Sequence, residues 1–313
     1  MYRYKSLLVI LHDDTQDDRL IDHAAMVAHL ARAGRVQFLH VMPEIPALSD
    51  RHPDVSPFLH EASAARHAAL ARRVAAAHFA GPWHTTVHVD VTDGPPLAEV
   101  QRVAQEGAFD LLLVGQSELA EHLTRRAPCS VLVVPDGAPA HVERVVVPVD
   151  FSAHAAEAVD VALAFAQASG IEAVHLLHTH VAPTAYSARS DARAEVTREE
   201  AHRWAAQRFA AFLDRLDLRG LVVETHLVET ASVAEATLAE IDALGADLVV
   251  VGTRGRSPSA AIQLGRVAEA VLKGAHVPVL AVKHRSTATN LLDRLLAQHV
   301  ARAAPRLRPS MPA

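Results

Sequence analysis

A single cysteine, Cys129, occurs among the 313 residues. One thiol cannot build an internal disulfide framework, and this usage fits a reducing compartment. Aromatic residues make up only 4% of the chain, so aliphatic side chains and closely packed Ala-rich helices must fill the core. No excess of positive charge is present: 30 Lys and Arg face 36 Asp and Glu, a formal net charge of −6. That balance carries no electrostatic footprint for nucleic acid. The apolar run nearest the N-terminus, Leu7 to Leu11, stops at His12, Asp13 and Asp14. Five residues are too few for a signal sequence core and far too few to cross a bilayer. The expectation is a soluble cytoplasmic protein that engages neither membrane nor nucleic acid.

Several chemical signatures are missing too. No GxxxxGK[ST] phosphate loop and no GxGxxG dinucleotide fingerprint occur. The 21 histidines lack the cysteine pairs or HExxH spacing that would organise them around zinc, so no metal site is expected. His178 and His180 share one strand face by their spacing, as would His84 and His88. Most histidines are expected at the surface or in helix packing, and Cys129 is expected to be buried and inert. Ser257 and Ser259 flank Pro258 without a base nearby in sequence, so no catalytic residue is assigned.

What the chain does have is a repeat. FDLLLVG at 109–115 matches ADLVVVG at 246–252, a displacement of 137 residues. APCSVLVV at 127–134 matches AHVPVLAV at 275–282, a displacement of 148. FLHV at 38–41 matches LLHT at 176–179, and the helical stretch at 94–107 resembles that at 231–245. The displacement therefore grows by about 11 residues late in the unit. The second copy carries extra residues where the first has few. A period this long marks a domain duplication rather than a solenoid. The units are placed at 1–138 and 142–285, joined by the Pro- and Gly-containing PDGAPAH at 135–141.

Within the second unit, short Val/Leu runs at 145–149, 173–179, 221–227, 247–251 and 279–282 alternate with helical patterns. The helices are expected near 153–168, 196–214, 232–244 and 263–273. Leu264, Val267, Ala268, Val271 and Leu272 mark one buried helix face. Alternating strands and helices with nearly continuous apolar strands predict α/β units, each a doubly wound parallel five-stranded sheet. Residues 286–313 lie outside the repeat. Within them, 290–302 reads as a helix that docks on the body or meets a partner. The Pro-rich 304–313 reads as disordered.

In such sheets ligands bind beyond the carboxyl ends of the strands. Two features of the second unit lie there: Asp150 after VVVPV, and the loop VGTRGRSPSAAIQLGR at 251–266 after DLVVV. Asp150 also suits a structural role beside Ser152, a candidate helix N-cap. Gly252 and Gly255 permit close backbone approach to an anion, and Gly265 precedes a helix whose first amides favour phosphate. Arg254 and Arg256 read as solvated loop charges.

The spacing Gly252-x2-Gly255-x9-Gly265, with VVVPVDFS and DLVVVGTRGRS, resembles the universal stress protein family over both units. The resemblance implies an adenine-nucleotide-hydrolase-like layout and a stress-response regulator rather than an enzyme, though slow ATP hydrolysis stays open. It implies ATP, with magnesium, in the second unit. Asp150 would meet the adenine or ribose side, and backbone near Thr179 would line the adenine pocket. Gly252, Thr253, Gly255 and Gly265 would hold the phosphates. It also implies pairing of 131–134 with 279–282 inside one chain, with an unidentified protein partner and further self-association both open. One position departs from the pattern: the family's Ser/Thr after the last glycine is Arg266 here. Arg266 either contacts phosphates itself or closes the pocket, which would leave a nucleotide-free scaffold protein. An adenylate-using enzyme of related layout is a third reading. In the first unit Asp13 is kept but no second or third glycine follows Gly115. That unit is expected to be a structural partner without nucleotide.

Overall fold

A computed structural model of the chain describes residues 3–12, 15–42, 56–76, 79, 84–181, 198–230, 232–253 and 264–283. All lie within the unit Met1–Lys283. The reading of 286–313 falls outside the described residues. The first half contains β1 (Ser6–Leu11), α1 (Asp17–Ala31), β2 (Arg35–Met42), α2 (Ser56–Ala76) and β3 (Thr86–Asp93). It continues with α3 (Pro96–Glu106), β4 (Leu111–Gly115), α4 (Glu118–Arg126) and β5 (Ser130–Val134). The second half contains β6 (Val145–Pro148), α5 (Ala153–Ser169), β7 (Ala173–Val181), α6 (Arg198–Leu213) and β8 (Val222–Thr230). It ends with α7 (Val233–Ala243), β9 (Leu248–Gly252), α8 (Arg266–Gly274) and β10 (Val279–Val282). A shared face for His84 and His88 depended on that stretch being strand, and β3 begins only after His84.

Among the described residues ten strands form one sheet in the order β3-β2-β1-β4-β5-β10-β9-β6-β7-β8. Each half is parallel within itself, and the two meet where β5 and β10 pair antiparallel. Val131, Leu132 and Val133 stand opposite Ala281, Leu280 and Val279, the pairing the resemblance implied. Helices cover both faces, which explains why β1, β4, β5 and β10 carry buried apolar residues almost throughout. One face packs Leu20, Ile21, Val27, Leu70, Phe165 and Phe212 from α1, α2, α5 and α6. The other packs Val100, Leu123, Ile241, Val271 and Leu272 from α3, α4, α7 and α8. Each such Leu or Phe contributes about 1.5–3 kcal/mol on burial.

The duplication repeats its fine joints. Asp110 accepts hydrogen bonds from the Lys5 and Ser6 amides at 3.0 and 3.2 Å. Asp247 does the same for Glu143 and Arg144 at 2.8 and 3.0 Å. Each carboxylate ties the start of a fourth strand to the start of a first.

The junction between halves carries a pseudo-two-fold charge network. Arg125 on α4 meets Glu269 on α8 at 2.6 Å, and Lys273 on α8 meets Glu121 on α4 at 3.3 Å. Glu121 and Glu269, like Arg125 and Lys273, are counterparts at the displacement of 148 seen in the sequence, so each residue faces its own counterpart's partner, as in an isologous interface. Arg3 adds a bridge to Glu157 at 2.6 Å and a hydrogen bond to the Lys283 carbonyl at 2.8 Å.

Candidate nucleotide crevice

In the second half β6 and β9 are neighbours, but their pairing runs only from Val145 to Val146. The pairing stops short of the strands' carboxyl ends, the place where a parallel sheet of this kind binds ligands. Asp150 stands on one side and Gly252 on the other. Asp150 is half-buried, and its Oδ1 accepts the Ser152 amide at 3.0 Å. Ser152 caps α5, its Oγ accepting the Ala155 amide at 3.2 Å. The structural role read for this pair is therefore present.

Between them Phe151 has φ 63°, a left-handed conformation that is costly for a bulky residue. Packing holds it there. Its ring lies 4.2 Å from that of His178, 5.3 Å from Phe209 and 5.6 Å from Phe212. The Arg208 guanidinium sits 5.2 Å from the ring centroid. His178 in turn donates from Nδ1 to the Val149 carbonyl at 2.7 Å. Strained backbone held by its surroundings is a recurrent mark of ligand-binding ends.

Gly252 is required by packing alone. A Cβ there would fall 2.8 Å from the His154 carbonyl oxygen. Thr253 is buried, and both its amide and its hydroxyl donate to the Val282 carbonyl, at 3.3 and 3.2 Å. Gly265 is the N-cap of α8, and its amide donates to the Thr253 carbonyl at 3.1 Å. The first-turn amides of α8 are those of Arg266, Val267 and Ala268, which no intrahelical carbonyl can take. The Arg266 side chain is exposed. Thr179 is half-buried on β7, and its hydroxyl meets that of Thr237 on α7 at 3.2 Å. Gly255 lies outside the described residues, as do Asp13 and the loop arginines Arg254 and Arg256.

At the same end His180 stacks on His178 with ring centroids 6.1 Å apart. Burial lowers its pKa, opposed by Glu229, and neither ring nitrogen has a hydrogen-bond partner among the described residues. In the first half the connection at the corresponding place is short. Gln116 and Ser117 alone join β4 to α4. Ser117 caps the helix, whose first turn carries Glu118 and Glu121. Cys129 is buried, and burial pushes its thiol up to about 12, as an inert thiol requires.

A second cluster escaped the sequence reading. His175 on β7 lies beside Glu224 and His226 on β8, far along both strands from Asp150. The alternation of Glu224 and His226 was visible, but their register against His175 was not.

No helix among the described residues is long and apolar enough to cross a membrane. No protein of curated function matches the chain. In structure it is similar to a functionally unknown protein from Pseudomonas aeruginosa PAO1, with a TM-score of 0.61 and 17% identity, covering 94% of this chain and 98% of that one. It is also similar to a universal stress protein from Archaeoglobus fulgidus DSM 4304, with a TM-score of 0.59 and 17% identity, covering 90% and 98%. At these identities the likeness speaks for the fold. The sequence itself matches the universal stress protein family twice, over residues 3–135 and 141–283. The chain belongs to the universal stress protein family, as a tandem member with two copies of its domain.

Proposed function

We propose that the protein is a cytoplasmic stress-response regulator that binds ATP with magnesium in its second half and acts by binding rather than turnover. The observation that carries this reading is the end of the β6–β9 pairing at Val146, short of the strands' carboxyl ends, with the start of α8 held to the end of β9 by the bond from the Gly265 amide to the Thr253 carbonyl. The amides of Arg266, Val267 and Ala268 and the positive end of the helix dipole favour a phosphate there. Arg266 supports the same assignment. A cation in the first turn opposes the helix dipole by a few tenths of a kcal/mol, a cost that a bound polyphosphate would reverse. Asp150 would receive the ribose or adenine side, with backbone near Thr179 as the adenine wall. Gly252, Thr253, Gly255 and Gly265 would shape the phosphate turn. ATP would order 253–264 and change the surface offered to a protein partner.

A second reading has one observation in its favour. The donors of Thr253 and the Gly265 amide are engaged internally, as in a closed turn. This would be the nucleotide-free scaffold, shut by Arg266. Calorimetry of the full chain with Mg-ATP separates the two, using Gly255→Val and Arg266→Ser alongside the wild type. Binding by the wild type that Gly255→Val abolishes supports the ATP site. Binding by Arg266→Ser alone makes the scaffold the native state. Binding by none of the three removes nucleotide from the function. Unchanged protease cleavage within 253–264 at saturating ATP would count against the ordering step.

A further inference from the structure

Among the described residues, two groups bring three potential metal-ligating atoms within 4.8 Å of one another. In His141, Glu143 and Asp247 the aspartate is already committed. It accepts the Glu143 and Arg144 amides, as Asp110 does for Lys5 and Ser6 in the first half. That group is a structural joint. In the other, His175, Glu224 and His226, the contacts run within the group itself, from His175 Nδ1 to His226 Nε2 and to Glu224 Oε2.

The strand register builds it. His175 pairs with Glu224, and Leu177 pairs with His226. Residues two apart on a strand share a face, so the two β8 side chains flank His175 on one side of the sheet. His175 Nδ1 lies 3.1 Å from His226 Nε2 and 3.3 Å from Glu224 Oε2. Bonds of about 2.0–2.1 Å to a tetrahedral zinc ion place its ligands about 3.3 Å apart. Two of the three separations are thus already close to those that one ion imposes, and the third is within 4.8 Å. His175 is largely enclosed, at 13% exposure, while Glu224 at 52% leaves the remaining coordination positions open to water.

The same place in the first half is built from different residues. By register, Leu8 pairs Gln37 as Val146 pairs His175. Gln37 faces His88, and Asp90 stands two residues on. There the carboxylate of Asp90 accepts the Gln37 amide at 2.7 Å, and Arg35 in turn donates to the Gln37 carbonyl. The carboxylate is satisfied from within. In the second half an imidazole replaces the amide, and Ala173 precedes it by two residues where the first half has Arg35. The cation at that place is gone while the carboxylate and a second imidazole remain. Arg144 is the other charge that His175 senses, and its guanidinium is directed to the Leu244 carbonyl at 2.7 Å.

We propose that His175, Glu224 and His226 bind a borderline divalent cation, zinc in the first instance, at the edge of the second half. Two imidazoles and one carboxylate suit Zn²⁺ over Mg²⁺ or Ca²⁺. The ion would pin the edge strand β8 to β7 near their amino ends, the opposite end from the nucleotide crevice. The proposal therefore stands apart from the ATP reading.

The test uses the full-length chain without an affinity tag. Zn²⁺ titration by calorimetry should show one tight ion per chain, and Tm should rise by about 5 °C at a hundredfold excess over Kd. Glu224→Gln and His226→Gln should each weaken that site at least about tenfold, while His141→Gln should leave it unchanged. Equal binding by wild type and the Glu224→Gln/His226→Gln double variant would overturn the proposal, as would the absence of saturable binding. Because a β8 variant could disturb folding, Co²⁺ added to the wild type gives an independent reading. Intense visible bands of a four-coordinate site support it, and only the weak bands of a hydrated six-coordinate ion refute it.

Discussion

In the first half two residues, Gln116 and Ser117, lead from β4 to α4. In the second half thirteen, 253–265, lead from β9 to α8. The short connection closes its helix: Ser117 takes the Ala120 amide, and Glu118 and Glu121 place negative charge in the first turn. A phosphate arriving there would meet carboxylates already using the helix dipole. The long connection does the reverse, opening α8 with a glycine cap and an exposed arginine. The closed end has gained another task. Gln116 donates from Nε2 to the Leu272 and Lys273 carbonyls at 3.1 and 3.2 Å, capping the last turn of α8 across the junction. The same place thus begins a helix behind a long connection in one copy and forms part of the interface between the halves in the other.

The comparison can be broken most forcefully at the glycines that end the fourth strands. A Cβ at Gly252 would meet backbone, the His154 carbonyl oxygen at 2.8 Å, which cannot move without shifting α5. A Cβ at Gly115 would meet chiefly the Gln16 side-chain oxygen at 3.0 Å, which can swing aside. Gly252→Ala should cost about 1–3 kcal/mol and Gly115→Ala less than about 1 kcal/mol. Urea denaturation of the two variants checks this. Equal losses would mean that α5 and α1 are seated alike and that the asymmetry is confined to the loops.

A second difference lies under the sheet. His23 on α1 is fully buried, and burial holds its pKa below the usual 6.5. The matching place on α5 is Val161, also buried. The two helices align through their C-caps, where Arg32 and Gly170 both take left-handed backbone. A depressed histidine pKa means that the unfolded chain binds the proton more readily. Stability is then fully present above pH 6.5 and declines as pH falls below it, by at most about 1.4 kcal/mol per pH unit for one proton. His23→Val, which copies the second half into the first, should flatten the Tm profile between pH 7 and 5. A profile unchanged by the substitution would place the acid sensitivity elsewhere.

Much of this architecture was legible because the physics is local. The Val/Leu strands announce themselves where both faces are covered, and β6, β7, β9 and β10 fall within two residues of their expected ranges. The jump in displacement from 137 to 148 marks the loop difference in the sequence itself. What stayed hidden depends on register and on hydrogen-bond partners. Nothing in TRGRS tells that the Thr253 hydroxyl turns back to Val282, or that the Gly265 amide goes to Thr253. Likewise His175 and His226 are 51 residues apart, and only the in-register pairing of β7 with β8 joins them.

The finest test concerns the junction, where the halves are alike rather than different. Glu121 and Glu269 are counterparts, as are Arg125 and Lys273, so the two crossing pairs should contribute equally if the pseudo-symmetry is energetic as well as geometric. The hydrogen bond from Lys273, with Arg125 beside it, holds the Glu269 carboxyl below the usual carboxylate range. Its contribution is therefore present at neutral pH and is lost as pH falls through that depressed value. All four side chains are about one-third exposed or more, so water and salt screen them and each pair is worth little. Glu269→Gln should lower Tm by no more than about 2 °C, and Glu121→Gln by a similar amount. Both losses should shrink in 1 M salt. A loss much larger for Glu269→Gln than for Glu121→Gln would show that the intrahelical pair of Glu269 with Lys273, at 3.1 Å against 4.0 Å for Glu121 with Arg125, outweighs the crossing pairs. The symmetry would then be one of shape alone.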